Sequence, residues 1–408
     1  MEPVVAVTDS EELIAAGRPG RDEGTKMKSQ TLIRSAQSCA ADAREAAREF
    51  HATVAQPDMA LVVFFCSGEY DLDVLALELD RLFAGVQVVG CTTAGEFGPA
   101  GYRDRSISGA SFPAGSFTAV SGSLSGLQQF ELAQGQALAR GMVQGLEGLE
   151  SRADAANSFA FLLIDGLSVR EEPVTRALQT VLREMPLVGG SAGDGLDFGK
   201  THVYFDGGFH ADSAVLVLVT TPVPFQVFKT QHFVPTGQRA VVTAADTERR
   251  VVAEIDGWPA AEGYARLVGA NMARLDAMRF AAQPMVVLID GTNYVRSIQK
   301  ANPDGSLTFF CAIEEGLVLH AARGVDLVED LERTFAELQA AIGQPQLVIG
   351  CDCILRKLEI TEGGLLDRVQ AVFRANNVIG FNSYGEQYGG VHINQTLTGI
   401  AFGELANG

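Results

Sequence analysis

Residues 378–402, VIGFNSYGEQYGGVHINQTLTGIAF, decide how the fold is read. The stretch passes from an apolar run into a loop holding Asn382, Tyr384, Gly385, Glu386 and Gln387, and then through His392, Asn394 and Thr396 into a second apolar run. A loop bracketed by two buried strands carries binding residues more often than a free surface loop does, so this one reads as the wall of a pocket.

The pattern occurs three times. An apolar strand, a helix, a second strand ending in Gly, a Gly-acid turn and a third strand fall at 60–66 (ALVVFFC), 72–83, 87–90, Gly95-Glu96 and 107–112. They fall again at 159–164 (FAFLLI), from Pro173, at 187–190, Gly193-Asp194 and 214–219 (AVLVLV), and a third time at 347–351, 365–375, 378–380, Gly385-Glu386 and 396–402. Leu72, Leu75, Leu79 and Leu82 make one apolar helix face. Pro173 suits a first helical turn, where its missing N–H has no partner to lose. Strands covered on both faces read as unbroken apolar runs, as these do. The expected fold is α/β: a two-domain protein of repeated β-α-β-loop-β units with layered sheets and covering helices.

Val89 and Val188 are 99 residues apart, and Val188 and Ile379 are 191 apart, which leaves room for a fourth unit near 284–320. That region opens with a strand, PMVVLI (284–289), but continues into YVRSIQ and SLTFFCAI on either side of Pro303-Asp304-Gly305, a hairpin signal, so a unit there is remodelled. Residues 34–54 read as a helix with Glu45, Arg48 and Glu49 on its wet side, and 225–230 as a strand. A further helix is read over 259–268, with Asp256 as its cap and Pro259 in its first turn. Residues 1–30 read as a flexible extension, and the drop in apolar density within TAADTERR places a boundary near 250, giving domains 31–250 and 251–408.

With 47% hydrophobic and 20% charged residues in 408, the composition is globular. A net charge of -19 disfavours nucleic acid and anionic membranes, because an acidic surface repels phosphate. No apolar run approaches the roughly 20 residues of a membrane span, and the N-terminus lacks the basic-then-apolar order of a signal peptide. A cytoplasmic protein without membrane insertion is expected. Six cysteines without framework spacing fit reduced thiols there. Cys351 and Cys353 are half of a zinc ligand set and read as buried thiols, since no second pair stands at ligand spacing.

No phosphate-binding P-loop, H-E-x-x-H or strand-linked G-x-G-x-x-G is present in the sequence. GGSAGDG at 189–195 reads as a turn that lets backbones pack closely, and Glu96, Asp194 and Glu386 as one turn device used three times. An enzyme is not expected. A hydrolase with Glu386 and His392 as acid and base is the reading from that class. Arg296, on the apolar strand NYVRSI, either anchors a salt bridge or receives an anionic ligand such as a carboxylate. No two of the six histidines show the helical spacing of a catalytic metal site, so at most a single one acts as an axial ligand. Haem needs only one, and without C-x-x-C-H it is held non-covalently. His232, in KTQHFVPTG, and His392 have the apolar and aromatic neighbours this requires, and each also reads as a structural histidine.

The motifs FFCSGEYDLDVLA, VVGCTTAGEFGPAGY, LVGGSAGDG with HVYFDGGFH, YVRSIQKANPDGSLTFFCAI, IGCDCILRKLE and GFNSYGEQYGGVHINQTLTG occur in the order found in the FIST sensory domains, N- and C-terminal halves together, and the resemblance covers residues 34–404. Within that family the sequence is most similar to the NosP group of stand-alone proteins. The resemblance implies non-covalent haem b, nitric oxide as the signal and a separate histidine kinase as partner. It implies His232 and His392 as candidate axial ligands, and Arg296, Tyr384, Glu386, Asn394 and Thr396 as lining the sensor pocket. A FIST sensor of another small molecule, such as an amino acid held through Arg296, is the alternative. The sequence leaves the oligomeric state open, a homodimer included.

Overall fold

The first unit begins earlier than its apolar runs do. In the computed structural model, which describes residues 33–272, 275–289 and 291–405, it consists of β1 (Arg34–Ser38), α1 (Ala43–Val54), β2 (Met59–Ser67), α2 (Leu72–Leu82), β3 (Gln87–Thr93), β4 (Glu96–Phe97) and β5 (Ile107–Pro113). The second consists of β6 (Thr118–Ser125), α3 (Leu132–Leu149), β7 (Ser158–Ile164), α4 (Glu171–Leu182), β8 (Leu187–Ser191), β9 (Val203–Phe205), β10 (Gly208–His210) and β11 (Ser213–Thr220). The third opens with β12 (Phe225–Thr230). The chain then leaves it for an insertion: β13 (Phe233–Asp246), β14 (Val251–Ile255), β15 (Trp258–Pro259), α5 (Ala260–Val268), α6 (Ala277–Ala282), β16 (Met285–Ile289), β17 (Thr292–Arg296), β18 (Ile298–Ala301), β19 (Leu307–Phe309) and β20 (Val318–Gly324). The third unit resumes with α7 (Leu327–Ile342), β21 (Leu347–Cys353), α8 (Ile354–Glu362), α9 (Leu366–Ala375), β22 (Val378–Ser383), β23 (Glu386–Tyr388), β24 (Val391–Ile393) and β25 (Leu397–Phe402).

All three units build the same sheet. The first and second apolar strands pair in parallel, as β2 with β3, β7 with β8 and β21 with β22. The third strand lies antiparallel on the other side of the first, and an edge strand, β1, β6 or β12, closes that side. The free side of each second strand takes a strand from another unit: β9 on β3, β23 on β8 and β4 on β22. The first unit thus lends a strand to the third, the third to the second and the second to the first, which closes the three into a ring. The repeated Gly-acid turn stands where the chain leaves its own sheet for a neighbour's. A Cβ on Gly90, Gly189 or Gly380 would lie 2.5, 2.0 or 1.9 Å from the carbonyl oxygen of Phe64, Leu162 or Gly350 on the adjacent strand, so each second strand carries glycine where it crosses its neighbour most closely.

Alternation along the strands sends one set of side chains inward. Leu61, Val63 and Phe65 meet Phe159, Phe161 and Leu163 and also Leu347, Ile349 and Cys351 in one shared core. It is nearly solid, with a void of about 10 Å³ among Leu61, Phe161 and Ile349. The opposite faces of the strands pack on α1 and α2, on α3 and α4, and on α7 and α9. Both faces are covered, which is why the runs lack polar alternation.

Four expectations are corrected. Residues 34–54 are a strand and then a helix: Arg34–Ser38 pairs with β5, and only Ala43–Val54 is helical, capped by Asp42. Residues 284–320 are no fourth unit, since β16 pairs antiparallel with β17 and β20 in the inserted sheet, and the insertion accounts for the long third spacing. Asp256 does not cap α5, because its Oδ1 accepts from the Val241 N–H at 2.8 Å. The third unit covers its sheet with α8 as well as α9. Residues 1–30 lie outside the described residues. No helix of the described residues is long and apolar enough to cross a membrane.

The insertion has its own core, which includes Val242, Ile255, Tyr264, Met285 and Phe309. Its first and last strands run side by side at the point of attachment, where Phe233 pairs with Gly324 and the Val325 N–H donates to the His232 carbonyl at 2.8 Å.

Candidate functional site

The turn that ends each second strand reads Thr93-Ala94-Gly95-Glu96, Ser191-Ala192-Gly193-Asp194 and Ser383-Tyr384-Gly385-Glu386. Glu96 accepts hydrogen bonds from the Thr93 hydroxyl and from Ser106 Oγ at 2.8 Å. Glu386 accepts from Ser383 Oγ at 2.5 Å and from the Thr396 hydroxyl and N–H at 2.6 and 3.3 Å. Burial pushes each carboxyl up to about 8, against the pull of those donors. Glu386 and Thr396 therefore use their polar groups on each other, as the equivalent pair does in the first unit. Tyr384 is also engaged: its hydroxyl donates to Asp194, and its ring stacks on Phe198 at 4.5 Å.

Beyond that turn, the third unit differs from the others. β24 carries His392 beneath the inserted sheet, and Arg296 at the end of β17 donates from Nη1 to the His392 carbonyl at 3.2 Å. Gln387 Nε2 donates to Ser191 Oγ at 2.9 Å and to His392 Nδ1 at 3.2 Å, which fixes the neutral ring with its proton on Nε2. His392 Nε2, both amide atoms of Asn394, Gln387 Oε1 and Arg296 Nε are buried and have no partner among the described residues. Five such atoms together are a departure from the general rule that buried polar groups are paired. Arg296 is 7% exposed, and its guanidinium reaches two backbone carbonyls but no carboxylate of the described residues. Burial lowers the His392 pKa, and Glu172 and Glu171 offset part of that.

Three further contacts hold the inserted sheet over this group. Arg250 bridges from Phe310 O at 2.6 Å to Glu171 at 2.6 Å and also to Glu172, at the N-terminus of α4. Glu172 accepts from the Ala312 N–H. Ser297 Oγ donates to Gln395 Oε1 at 2.8 Å, and Gln395 Nε2 to the Ala281 carbonyl at 2.8 Å. The site is a junction of α4, β24 and the insertion. Sequence reasoning set Gln387 in the pocket-wall loop without giving it a role, and missed Gln395, Glu171, Glu172 and Arg250 as parts of the site. The available signal was two adjacent acids opening an amphipathic helix, Glu171-Glu172, and arginines inside a polar connection, TERR.

His232 sits elsewhere, where β12 passes into the insertion. Its Nε2 donates to Glu359 at 2.9 Å, and Arg356 donates to its Nδ1 at 3.3 Å. Arg356 in turn bonds Asp352 Oδ1 at 2.7 Å, and Tyr102 donates to Asp352 Oδ2 at 2.9 Å. Both ring nitrogens are thereby taken. The structure brings Arg296, His392 and Asn394 together, sets Glu386 and Thr396 behind them in the scaffold turn, and places Tyr384 and His232 in other contacts.

Haem does not fit either histidine as folded. A Cβ built on Gly385 would fall 2.3 Å from His392 Cε1 and 2.7 Å from Nε2, so the free nitrogen faces packed backbone where iron and a porphyrin plane would stand. No group of three or more His, Cys, Asp and Glu side chains among the described residues is arranged to hold a metal ion. All six cysteines are free thiols, Cys351 and Cys353 both buried.

No curated protein matches the chain. Among solved structures it is similar to a cyanuric acid hydrolase described as an evolutionary innovation by structural concatenation, at 11% identity over 72% of this chain and 99% of that one, with a TM-score of 0.30. It is similar also to a cyanuric acid hydrolase from A. caulinodans, at 8% identity over 91% and 99% and a TM-score of 0.35, and to a chorismatase, at 10% identity over 91% and 97% with the same score. Likenesses this weak carry no argument about function. The FIST N domain matches residues 60–258 and the FIST C domain residues 260–389, which between them take in most of the ring, the inserted sheet and Arg296 and stop just short of His392, and the chain belongs to the FIST family of sensor domains.

Proposed function

We propose that this protein is a small-molecule sensor rather than an enzyme, and that its ligand carries a carboxylate and binds at the junction of β24, β17 and α4. One observation carries the reading: Arg296 is a buried cation without an acidic partner among the described residues, set beside four further atoms on His392, Asn394 and Gln387 that are unpaired there. An uncompensated buried charge is costly, and an anion that pairs with it removes the cost. The guanidinium takes the carboxylate, and a shift of the turn at Gly385 lets the His392 and Asn394 N–H groups and the Asn394 and Gln387 oxygens address the ligand's polar remainder. Because the same residues tie the insertion to the ring, occupancy favours the closed arrangement, and the signal reaches a separate protein as a change in how the insertion is held. A histidine kinase is the partner implied by the family likeness, in the cytoplasm.

A second reading, haem with nitric oxide as signal, has one observation in its favour, the unpartnered Nε2 of His392. It requires the turn at Gly385 to open. The two separate cleanly in one set of measurements. Calorimetric titration with single amino acids and simple carboxylates is expected to show saturable binding that Arg296→Gln abolishes, in a protein without a Soret band. Haem binding that His392→Ala removes and Arg296→Gln leaves intact gives the second reading instead.

A further inference from the structure

The inserted sheet carries a groove of about 330 Å³ that the ligand site above does not use. It is lined by Gln238, Arg239 and Ala240 of β13, by Asp256 and Trp258, and by Gly263, Arg266 and Leu267 of α5. Trp258 is the chain's only tryptophan and is 44% exposed. The Arg266 guanidinium lies 3.5 Å over its ring, and Glu262 holds that guanidinium flat through bonds of 3.1 and 2.6 Å. The outer face of a guanidinium held flat in this way is a stacking platform. Arg239 has no hydrogen-bond or ion partner among the described residues. Asp256 uses one oxygen to accept from the Val241 N–H and keeps acceptor capacity toward the groove.

The groove therefore offers three distinct groups: a flat cationic surface backed by an indole, an acceptor carboxylate and an unpaired guanidinium. A simple anion uses only the last and is repelled by Asp256. An aromatic acid uses the first and last and leaves Asp256 without a donor. A flat ring with N–H groups on its edge, joined to an anion, uses all three. We propose that this groove binds a purine mononucleotide, its base stacked on the Arg266–Trp258 pair, an edge N–H of the base donated to Asp256, and its phosphate paired with Arg239. In a chain of net charge -19, an unpaired arginine beside a platform of this kind is also where a phosphate meets least repulsion. The site is independent of the carboxylate site at Arg296 and stands or falls without it.

Because Trp258 is the sole tryptophan, its fluorescence reports this groove alone. Titration of the full chain with GMP and with AMP is expected to quench it saturably with at least one of the two, while inorganic phosphate and benzoate do so at least about tenfold more weakly, each lacking part of the contact set. Arg239→Gln and Asp256→Asn are each expected to weaken the nucleotide about tenfold or more by calorimetry, with unchanged thermal unfolding, since both side chains are exposed. Trp258→Phe keeps the calorimetric signal in weakened form and loses the optical one. Absence of saturable quenching by either nucleotide, or binding of phosphate or benzoate as tight as the nucleotide, overturns the proposal. So does nucleotide binding that Arg239→Gln and Asp256→Asn leave unchanged.

Discussion

His232 and His392 are both fully buried, and both sit where the inserted sheet meets the ring, yet their surroundings differ in kind. Around His232 the polar groups close on one another: Glu359 and Arg356 take the ring nitrogens, Asp352 takes Arg356, and Tyr102 takes Asp352, leaving one Arg356 nitrogen over. Around His392 they stay open, with Nε2, the Asn394 amide, Gln387 Oε1 and Arg296 Nε all lacking partners among the described residues. A closed network holds a fold in one arrangement, and a half-satisfied one costs stability that only a further partner recovers. The first histidine belongs to the attachment of the insertion, and the second to the junction proposed above as the ligand site.

Removing one charged side chain from each region tests that contrast most strongly. Asp352→Ala strands the fully buried Arg356 charge and is expected to cost about 3–5 kcal/mol in urea unfolding. Arg296→Gln strands no acid and is expected to leave stability within about 1 kcal/mol of the parent, or to raise it. Similar losses from both variants remove the distinction between closed and open regions.

Next in size is an effect of the repeated turn, in which Glu96 and Glu386 occupy the same place in different units. Each folded carboxyl titrates at about 8 against an ordinary value of 4.5, so the native state holds the proton more tightly than the unfolded chain. The stability this contributes is complete below the unfolded value and is lost as pH rises through the folded one. Between about pH 5 and 8 each carboxyl should lower the unfolding free energy by on the order of 3–4 kcal/mol, and Glu96→Gln with Glu386→Gln should flatten most of that slope. A slope untouched by the double substitution places the titration elsewhere. Smaller again is His232→Ala, which leaves Glu359 and Arg356 without their shared partner and should cost about 1–3 kcal/mol; a neutral result means that solvent replaces the ring.

How much of this was legible in the sequence follows from what buries each element. The three apolar strands of each unit, and the glycines that cross them, stand out because both faces are covered. β1, RSAQS, is an edge strand with an exposed arginine, and a polar edge strand next to a helical pattern is absorbed into the helix. The insertion read as a distorted fourth unit because β16 is as apolar as a ring strand, and only its antiparallel partners show that it belongs elsewhere. At the site, Arg296, His392 and Asn394 were legible as polar residues amid apolar ones. The strand exchange that carries β23 and β24 into the second unit's sheet was not, because pairing between units leaves no periodicity in either strand. Gln387 and the acids of α4 entered the site through that exchange.

The smallest expected effect is the most informative about His392. Substitution by Leu removes a ring whose Nε2 is unpaired and whose Nδ1 accepts one bond from Gln387, and Gln387 keeps its bond to Ser191. In the free protein the loss should be below about 1 kcal/mol, since deleting an unsatisfied buried group offsets the lost packing. The equivalent change at His232 deletes a ring bonded at both nitrogens and should cost more. What His392→Leu should remove is the added stability that a bound carboxylate gives, because a ligand that binds only the folded state raises the melting temperature by an amount that grows with the logarithm of its concentration over Kd. Melting curves of the parent and the variant, with and without the carboxylate that binds the parent, measure both quantities at once. A variant that unfolds early but still gains the full ligand shift makes His392 a structural residue like His232, and the contrast between the two regions then rests on Arg296 alone.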